Sequence, residues 1–525
     1  MKNLSILFIS LFVLAACSKD DDNGTETDKE TDKSDAKEIV SFKFLESDND
    51  GLSEDVTATV DKDAKTISAT VPFGTDVTAL SPTITISEEA TIAPENKTAR
   101  DFSEALTYAV TAEDGSEVKY TVTMTIAAPS ERQVLVKLYN ANPENTLGWD
   151  LEEDDIANWE GVYVNNGAVT ELSLEEGGLA VLPKEIGKLT NLGYLYLQEN
   201  KLTSLPTEIG NLANLKVLNL ERNSLESIPS KLGDLVKLNT LYLGYNSLTS
   251  IPETISNLTN LENFGLQSNS LTSVPEVIGG MTNLETLDLS GLSLESLPTE
   301  IGNLSNLVIL NLEFNSLNSV PAFLGKLTNL FRLNLRSNAL TDVSGLGSLT
   351  NLKQLYLYDN PLTGLPAEIG NLSSLELLYL QGCSLTSIPA EIGNLSNLQI
   401  LWLDNNSLKS LPSEIGSLSN LKQLYLYNNS LTSLPSEIDN LSSLQILWSS
   451  NNSLTSLPAE IGNLTNLETL SLYDNSLTSI PTELANLPNL KILALQNNSL
   501  TSIPKEICDM DLETFNKDET AICEE

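Results

Sequence analysis

The sequence of 525 residues lacks histidine altogether and has only four cysteines. Without histidine it holds no Ser-His-Asp triad, no Cys-His pair and no histidine metal site, so most metal and general-base chemistry is excluded. Basic residues are also scarce, because 29 lysines and arginines face 71 aspartates and glutamates, and the formal net charge is −42. This charge argues against nucleic acid and anionic lipid head groups as partners. Since no glycine-rich phosphate loop is present either, we expect a non-catalytic protein without cofactor or metal.

Long apolar runs are few, and the one at the N-terminus indicates a secretory signal. It extends from Leu4 to Leu14, follows Lys2, and is too short to span a bilayer as a helix. It ends in Leu14-Ala15-Ala16-Cys17, which resembles a bacterial lipobox. By that resemblance residues 1–17 are a lipoprotein signal peptide and Cys17 is the lipid attachment site, with the lipid as the only contact with the membrane.

Residues 18–38 are polar and charge-rich without an apolar period, which predicts a disordered acidic tether. Within them, Ser18-Lys19-Asp20-Asp21-Asp22 resembles the acidic export tag of surface lipoproteins in the Bacteroidetes group. A plain solvated linker is the alternative. The resemblance implies an outer membrane lipoprotein exposed on the cell surface.

What the chain has in abundance is a repeat with a central Leu-x-Leu. A weaker first copy is centred on Leu172, and the pattern Leu-x-x-Leu-x-Leu-x-x-Asn-x-Leu then recurs every 23 residues, with one step of 22. The central leucine positions are Leu195, Leu218, Leu241, Phe264, Leu287, Leu310, Leu333, Leu355, Leu378, Leu401, Leu424, Leu447, Leu470 and Leu493. This pattern resembles the leucine-rich repeat family. Because the period is two, both leucines face one side, and stacking the strands about 4.8 Å apart makes a parallel sheet with a continuous core.

An asparagine stands three residues after the second leucine in most copies, where the chain turns inward. An amide both donates and accepts, so these side chains are expected to satisfy the backbone of a buried turn. Leu292 and Cys383 replace the asparagine in two copies, and Leu292 predicts a local distortion of its turn.

The second half of each unit begins with proline and ends with glycine, which predicts a short helix on an outer wall. The glycines are expected to end these helices with positive φ, at Gly210, Gly302, Gly370, Gly393, Gly416 and Gly462. Because such a wall is wider than a strand, the sheet is expected to line the concave face of a horseshoe.

Between residues 39 and 128 the pattern changes to short alternating strands, which predicts an all-β immunoglobulin-like sandwich. The hairpin around Asp114-Gly115 resembles spacer modules of bacterial surface lipoproteins. The expected strands are Val56–Val60, Thr66–Val71, Ser81–Ile86, Leu106–Val110 and Tyr120–Met124. The fold class expected is therefore an α/β solenoid preceded by an all-β sandwich.

Residues 131–178 are expected to form an N-terminal cap with the first repeat, because a solenoid end must cover an apolar face. Apolar residues around Leu135 share a helical face, and Trp149 and Trp159 follow. This order resembles the N-terminal cap of plant receptor-type leucine-rich repeats without its cysteine pair, and both tryptophans are expected in the core.

Residues 179–507 are expected to hold the regular repeats and residues 508–525 a C-terminal cap. Cys508 and Cys523 lie in this last segment. A cysteine pair in an exported protein predicts a disulfide, with two free thiols as the alternative.

The residue between the two strand leucines points out of the concave face, and five consecutive copies place an aromatic residue there. We name Tyr356, Tyr379, Trp402, Tyr425 and Trp448 the aromatic ladder, which should span about 19 Å. Tyr358, Tyr427 and Tyr473 share its face, and Asp404 stands beside it. Repeat duplication and cross-strand stabilisation are one explanation. The other is a binding surface, since Tyr and Trp dominate interface hot spots.

Three functions follow from these residues. The favoured one is a receptor or adhesin for an extracellular protein or peptide, as the family resemblance implies. The alternative is capture of a polysaccharide, in which rings stack on sugars and side chains such as Asn405 and Asn428 supply hydrogen bonds. A third hypothesis is glycoside hydrolysis by a carboxylate pair, Asp404 with Asp359. The sequence leaves open whether the aromatic ladder or a second cluster nearer the cap, Tyr194, Tyr196, Tyr242 and Tyr245, binds the ligand.

Overall fold

A computed structural model describes residues 32–525. The predicted signal peptide, Cys17 and the tether up to residue 31 lie outside the described residues. The chain divides into two compact units with the boundary between Ala128 and Pro129. Within the described range, no helix is long and apolar enough to cross a membrane.

The N-terminal unit consists of two β-sheets around one core. The three-stranded sheet has the order Val56–Thr57, Ile39–Phe44, Thr83–Ile86, and the five-stranded sheet has the order Thr59–Asp61, Thr66–Val71, Glu117–Ile126, Leu106–Thr111, Thr91–Ala93. Phe42 of the smaller sheet packs edge-on against Tyr108 of the larger one, with ring centroids 5.4 Å apart. The predicted all-β sandwich is confirmed, although the sequence did not indicate the strands Ile39–Phe44 and Thr91–Ala93.

The second unit is built on one long sheet. Val162–Asn165 pairs antiparallel with the next strand, and all later strands are parallel. In spatial order the strands are Val162–Asn165, Ala168–Ser173, Tyr194–Tyr196, Val217–Asn219, Thr240–Tyr242, Asn263–Gly265, Thr286–Asp288, Ile309–Asn311, Arg332–Asn334, Gln354–Tyr356, Leu377–Tyr379, Ile400–Trp402, Gln423–Tyr425, Ile446–Trp448, Thr469–Ser471, Ile492–Ala494 and Thr514–Asn516. Every central leucine, together with Phe264, is buried and pairs with its counterpart in the next strand, which confirms the predicted register.

The outer wall is made of five-residue 3-10 helices. They span Lys184–Lys188, Thr207–Asn211, Ser230–Asp234, Glu253–Asn257, Glu276–Gly280, Thr299–Asn303, Ala322–Lys326, Ser344–Ser348, Ala367–Asn371, Ala390–Asn394, Ser413–Ser417, Ser436–Asn440, Ala459–Asn463 and Thr482–Asn486. In most of them a proline precedes the first residue with extended backbone, as Pro389 does. The predicted short helix is therefore a single 3-10 turn, because few residues separate the proline from the next strand.

The predicted positive φ of the wall glycines is wrong. None of the six glycines named above belongs to the residues with positive φ. Their function is close packing between copies, because a Cβ added at Gly393 would lie 2.5 Å from the backbone oxygen of Glu414 in the next copy. Glycine stands there because two turns of the wall approach too closely for any side chain.

The asparagines form a ladder that binds each turn to the turn before it. Asn429 is representative, since its Nδ2 donates to the oxygens of Leu403 at 2.9 Å and Leu426 at 3.0 Å, and its Oδ1 accepts from the Leu408 nitrogen. This confirms the predicted role. The turn at Leu292 is distorted as predicted, because Ser293 has positive φ in addition to the residue before Leu292, whose position has positive φ in every copy. The turn at Cys383 has the same additional positive φ, at Ser384.

Both ends of the sheet are covered. The N-terminal helix Glu131–Ala141 buries Leu135, and Trp149 and Trp159 lie in the core with their rings stacked 5.0 Å apart, as predicted. A 3-10 turn, Ile156–Asn158, precedes the sheet. At the other end, the short helix Lys505–Cys508 is followed by the last sheet strand Thr514–Asn516, which the sequence did not indicate. Cys508 and Cys523 are joined in a disulfide, beside the strand pair formed by Ser502–Ile503 and Ile522–Cys523.

Candidate functional site

The aromatic ladder is aligned by the strand register. In the five parallel strands from Gln354–Tyr356 to Ile446–Trp448, each ladder residue is the Cα partner of the next. The residues on either side of each ladder residue are buried, and all of them are leucines except Ser449, which follows Trp448. Every ladder side chain must therefore point out of the concave face. The five rings therefore stand in one row.

The rings of the ladder contact one another without a break. Tyr356 and Tyr379 are stacked with centroids 4.9 Å apart, and Tyr379 meets Trp402 edge-on at 4.7 Å. Trp402 and Tyr425 are 5.1 Å apart, and Tyr425 and Trp448 5.7 Å. All five side chains are half-buried, because each ring covers part of its neighbour. The ladder is thus a continuous apolar strip with its edges and outer surfaces in solvent.

The three additional tyrosines differ in their contacts. Tyr427 extends the strip, with its ring 5.4 Å from that of Trp448, and Tyr473 lies close enough to influence Tyr427. Tyr358 instead lies under the guanidinium of Arg336, 4.6 Å from its ring centroid. The structure therefore brings Tyr427 and Tyr473 to the Trp448 end of the ladder and places Tyr358 in a cation–π contact at the other end.

Asp404 is a buried charged residue of this face, with only 2% of its surface exposed. Its Oδ2 accepts a hydrogen bond from Asn405 Nδ2 at 2.7 Å, and the Tyr427 hydroxyl lies beside the carboxylate. Burial raises the pKa of Asp404 above its ordinary value, and the Tyr427 hydroxyl opposes this only in part. Burial also raises the pKa of Tyr379, Tyr425 and Tyr427.

A row of amides, exposed at Asn405 and Asn451 and half-buried at Asn428, runs along the edge of the strip. Asn405, Asn428 and Asn451 occupy the positive-φ position of successive turns, and Asn428 Nδ2 donates to Asn405 Oδ1 at 2.7 Å. Asn451 continues the row by donating to Asn428. This amide row places donors and acceptors next to the rings, so the face can contact both apolar and polar parts of one ligand.

The carboxylate pair considered for hydrolysis is not arranged for it. Asp359 forms an ion pair with Arg336 at 3.4 Å, and Asp404 is buried. A glycosidase needs two carboxyl groups that flank an accessible bond. In the part of the chain that the structure describes, no group of three or more acidic or cysteine residues is placed to hold a metal ion.

The second tyrosine cluster is looser than the aromatic ladder. Gly265 follows Tyr242 in the next strand, so the row of rings is interrupted there. Arg222 covers the ring of Tyr245 at 4.5 Å. Among these four tyrosines no ring pair is in contact, which distinguishes the cluster from the ladder.

Matches to known protein families fall separately in the two units of the chain. A family model described as "Leucine-rich repeat region" matches residues 172–268, 263–360, 335–424 and 363–470, and one described as "Leucine Rich repeats (2 copies)" matches residues 465–506. Residues 39–124 match the model "SGBP, N-terminal". A search of curated proteins found no match.

Solved structures also resemble the chain. A leucine-rich repeat protein of Leptospira interrogans is 41% identical, over 67% of this chain and 90% of that one, with a TM-score of 0.64. The plant peptide hormone receptor RGFR1 in complex with RGF2 is 33% identical, over 67% and 62% of the two chains, with a TM-score of 0.50. A TDR receptor is 34% identical, over 61% and 59%, with a TM-score of 0.54. This chain therefore spans about three fifths of the two receptor chains, and it belongs to the leucine-rich repeat family.

Proposed function

We propose that this protein is a non-catalytic receptor or adhesin on the cell surface, which binds an extracellular protein or peptide on the aromatic ladder. The observation that carries the proposal is the unbroken contact of five rings across five strands. Nothing in the repeat requires aromatic residues there, because the same position holds Asn219, Gly265 and Ser471 in other copies. An apolar strip of this length on a highly charged protein is typical of an interaction site.

Two further observations support a protein or peptide partner. The plant receptor RGFR1, a structure in the same family, is in complex with RGF2. The stacked faces of Tyr356 and Tyr379 cover each other, so at this end the ladder presents ring edges rather than free faces. Ring edges with adjacent amides fit the mixed surface of a peptide, whose backbone offers donors and acceptors at short intervals.

The second candidate function is capture of a polysaccharide. It is favoured by the match of residues 39–124 to the SGBP family, whose members are surface glycan-binding proteins. The ring of Trp402 is nearly perpendicular to that of Tyr379, and the amide row lies beside it. A sugar would stack on such a ring and bond to the amides.

We also propose that Cys17 carries the lipid that holds the protein on the outer membrane. The lipobox-like sequence supports it, and several acyl chains would give stable anchoring at about 0.8 kcal/mol per buried CH2. Metabolic labelling with a fatty-acid analogue should mark the protein, and Cys17→Ser should abolish the label. Label that persists in Cys17→Ser would contradict the proposal.

Capture from the cell's surroundings tests the binding function. The immobilised protein is offered soluble proteins and a panel of soluble polysaccharides, and it is compared with a Trp402→Ala/Trp448→Ala variant and with Tyr242→Ala. A ligand that binds through the ladder should be retained by Tyr242→Ala and lost by the double variant. Loss in Tyr242→Ala alone would place binding at the other cluster, and equal capture by all three proteins would overturn the proposal.

A further inference from the structure

Asp404 is a buried carboxylate without a counter-ion. Its Oδ1 is fully buried and has no hydrogen-bond partner at normal geometry. Among the ion pairs of the described residues, none includes Asp404. Burying a carboxylate costs several kcal/mol unless a cation or a full set of donors compensates. The fold does not need a carboxylate here, because the same position holds Gln381 and Tyr427 in the two adjacent copies.

The surroundings of Asp404 are aromatic rather than basic. In each copy of the repeat, three residues point out of the concave face. Two of them flank the central leucine, and the third stands three residues after that leucine. Across the five copies of the ladder, Asp404 is the only charged residue at these positions. Arg336, one copy before the ladder, is already engaged by Asp359, Phe314 and Tyr358.

The rings around Asp404 are those that a cation prefers. Trp402 precedes Asp404 by two residues in the same copy of the repeat, and Tyr425 and Tyr427 lie in the next copy, near enough for the carboxylate to affect their ionisation. The ring faces of Trp and Tyr carry negative potential and attract ammonium and guanidinium groups. A cation that rests on these rings is attracted by the rings and by the carboxylate beneath them.

We propose that the middle of the ladder, at Trp402, is a subsite for a basic side chain, a lysine or arginine of the bound peptide, with Asp404 as its buried counter-charge. This rests on the proposed function and names the chemistry of its ligand. The net charge of −42 would attract such a partner from a distance. The subsite explains why an uncompensated carboxylate is kept under the rings, since binding supplies the missing cation.

A peptide is preferred over an amino sugar as the source of the cation. A lysine or arginine has a long apolar stem that lies along the rings while its charged head rests on the rings above the buried carboxylate. The amide row of Asn405, Asn428 and Asn451 runs beside the subsite and can bond to an extended peptide backbone.

Selection from a random peptide library displayed on phage tests the subsite. Peptides that bind the protein are resynthesised, and each lysine is replaced by norleucine and each arginine by citrulline. Their affinities are measured for the protein, for Asp404→Asn, for Trp402→Ala/Trp448→Ala and for Asp439→Asn. Asp404→Asn removes one charge and keeps the shape, and Asp439→Asn removes the same charge from the outer wall, where Asp439 is partly exposed. Oligosaccharides of glucosamine and of N-acetylglucosamine are tested alongside.

We expect the selected peptides to be rich in lysine or arginine. Neutral replacement of the basic residue and Asp404→Asn should each weaken binding about tenfold. This is the loss in affinity expected when a cation on aromatic rings beside a carboxylate loses one of its partners. Asp439→Asn should leave the affinity unchanged. Peptides that need the two tryptophans but show no basic residue and no effect of Asp404→Asn would overturn the subsite and leave the receptor function standing. Failure to select any ladder-dependent peptide would overturn both. Binding of glucosamine oligomers alone, dependent on Asp404, would replace the peptide by an amino sugar and overturn the proposal as stated.

Discussion

We predict that removing one side chain of the asparagine ladder, in Asn429→Ala, substantially lowers the free energy of unfolding. The substitution removes the Oδ1 acceptor from the buried Leu408 nitrogen, which has no other partner among the described hydrogen bonds. The oxygens of Leu403 and Leu426 each lose one of two amide donors but keep the other, from Asn406 and Asn452. One orphaned N–H costs about 1–3 kcal/mol and each lost second bond about 0.5–1.5 kcal/mol, so Asn429→Ala should cost roughly 2–6 kcal/mol.

The matched control is Asn420→Ala. Asn420 is exposed on the wall side of the same copy and donates one hydrogen bond, to the Ser396 oxygen at 2.8 Å. Its removal should cost about 1 kcal/mol. Urea denaturation, followed by circular dichroism, measures both losses in the free energy of unfolding. Equal losses for Asn429→Ala and Asn420→Ala would refute the reasoning, because the ladder would then contribute no more than an exposed side chain.

Three further predictions concern the wall, the thiol and the site. Gly393→Ala should lower the free energy of unfolding by about 1–3 kcal/mol through overpacking against Glu414; Gly364→Ala, with open space around its Cβ, should be neutral, and equal effects would contradict the packing argument. Cys383 is buried and its pKa is raised to about 12 by burial, so in a Cys17→Ser protein a thiol reagent at pH 8 should react only after unfolding. Because the pKa of Asp404 is raised on folding, the folded protein binds the carboxyl proton more tightly than the unfolded chain does. Protonation of Asp404 therefore stabilises the fold at acid pH, and this stabilisation is lost as the pH rises through the pKa of the folded state. Asp404→Asn should therefore raise the thermal midpoint at pH 7, and a lowered midpoint would show that the carboxylate is satisfied.

The doubled bonding of the asparagine ladder also explains its two departures. At Leu292 the oxygens of Leu266 and Leu289 keep one donor each, from Asn269 and Asn315. At Cys383 the thiol itself donates to the Leu357 oxygen at 3.2 Å. When a single asparagine is missing, these carbonyls still have a donor, because the asparagines of the neighbouring copies reach them.

The repeat could be predicted from the sequence because its period fixes which residues face inward. Leu355, Leu378 and Leu401 are buried, and their outward neighbours form the ladder in the predicted register. The wall glycines were misread because their constraint comes from the next copy of the repeat: nothing near Gly393 in the sequence shows how closely Glu414 approaches it.

The chemistry of the site was only partly accessible from the sequence. The place of Asp404 in the repeat predicted that it lies beside the ladder. Its burial, however, depends on the orientation of Tyr427 and of the adjacent rings, which belong to other strands. The strand Thr514–Asn516 was missed because Phe515 replaces the leucine of the motif in an irregular segment. Ring orientation and side-chain burial arise between copies, where periodicity carries no information.

Tryptophan fluorescence tests most directly whether the aromatic ladder binds the ligand. Of the four tryptophans, Trp149 and Trp159 are buried in the cap, so a ligand on the concave face acts on Trp402 and Trp448. Titration with the captured ligand should change the emission in a saturable way, and each ladder tryptophan replaced by alanine should weaken binding about 30-fold, as hot-spot residues do. Unchanged affinity in the Trp402→Ala/Trp448→Ala variant, with the ligand still bound, would contradict the account.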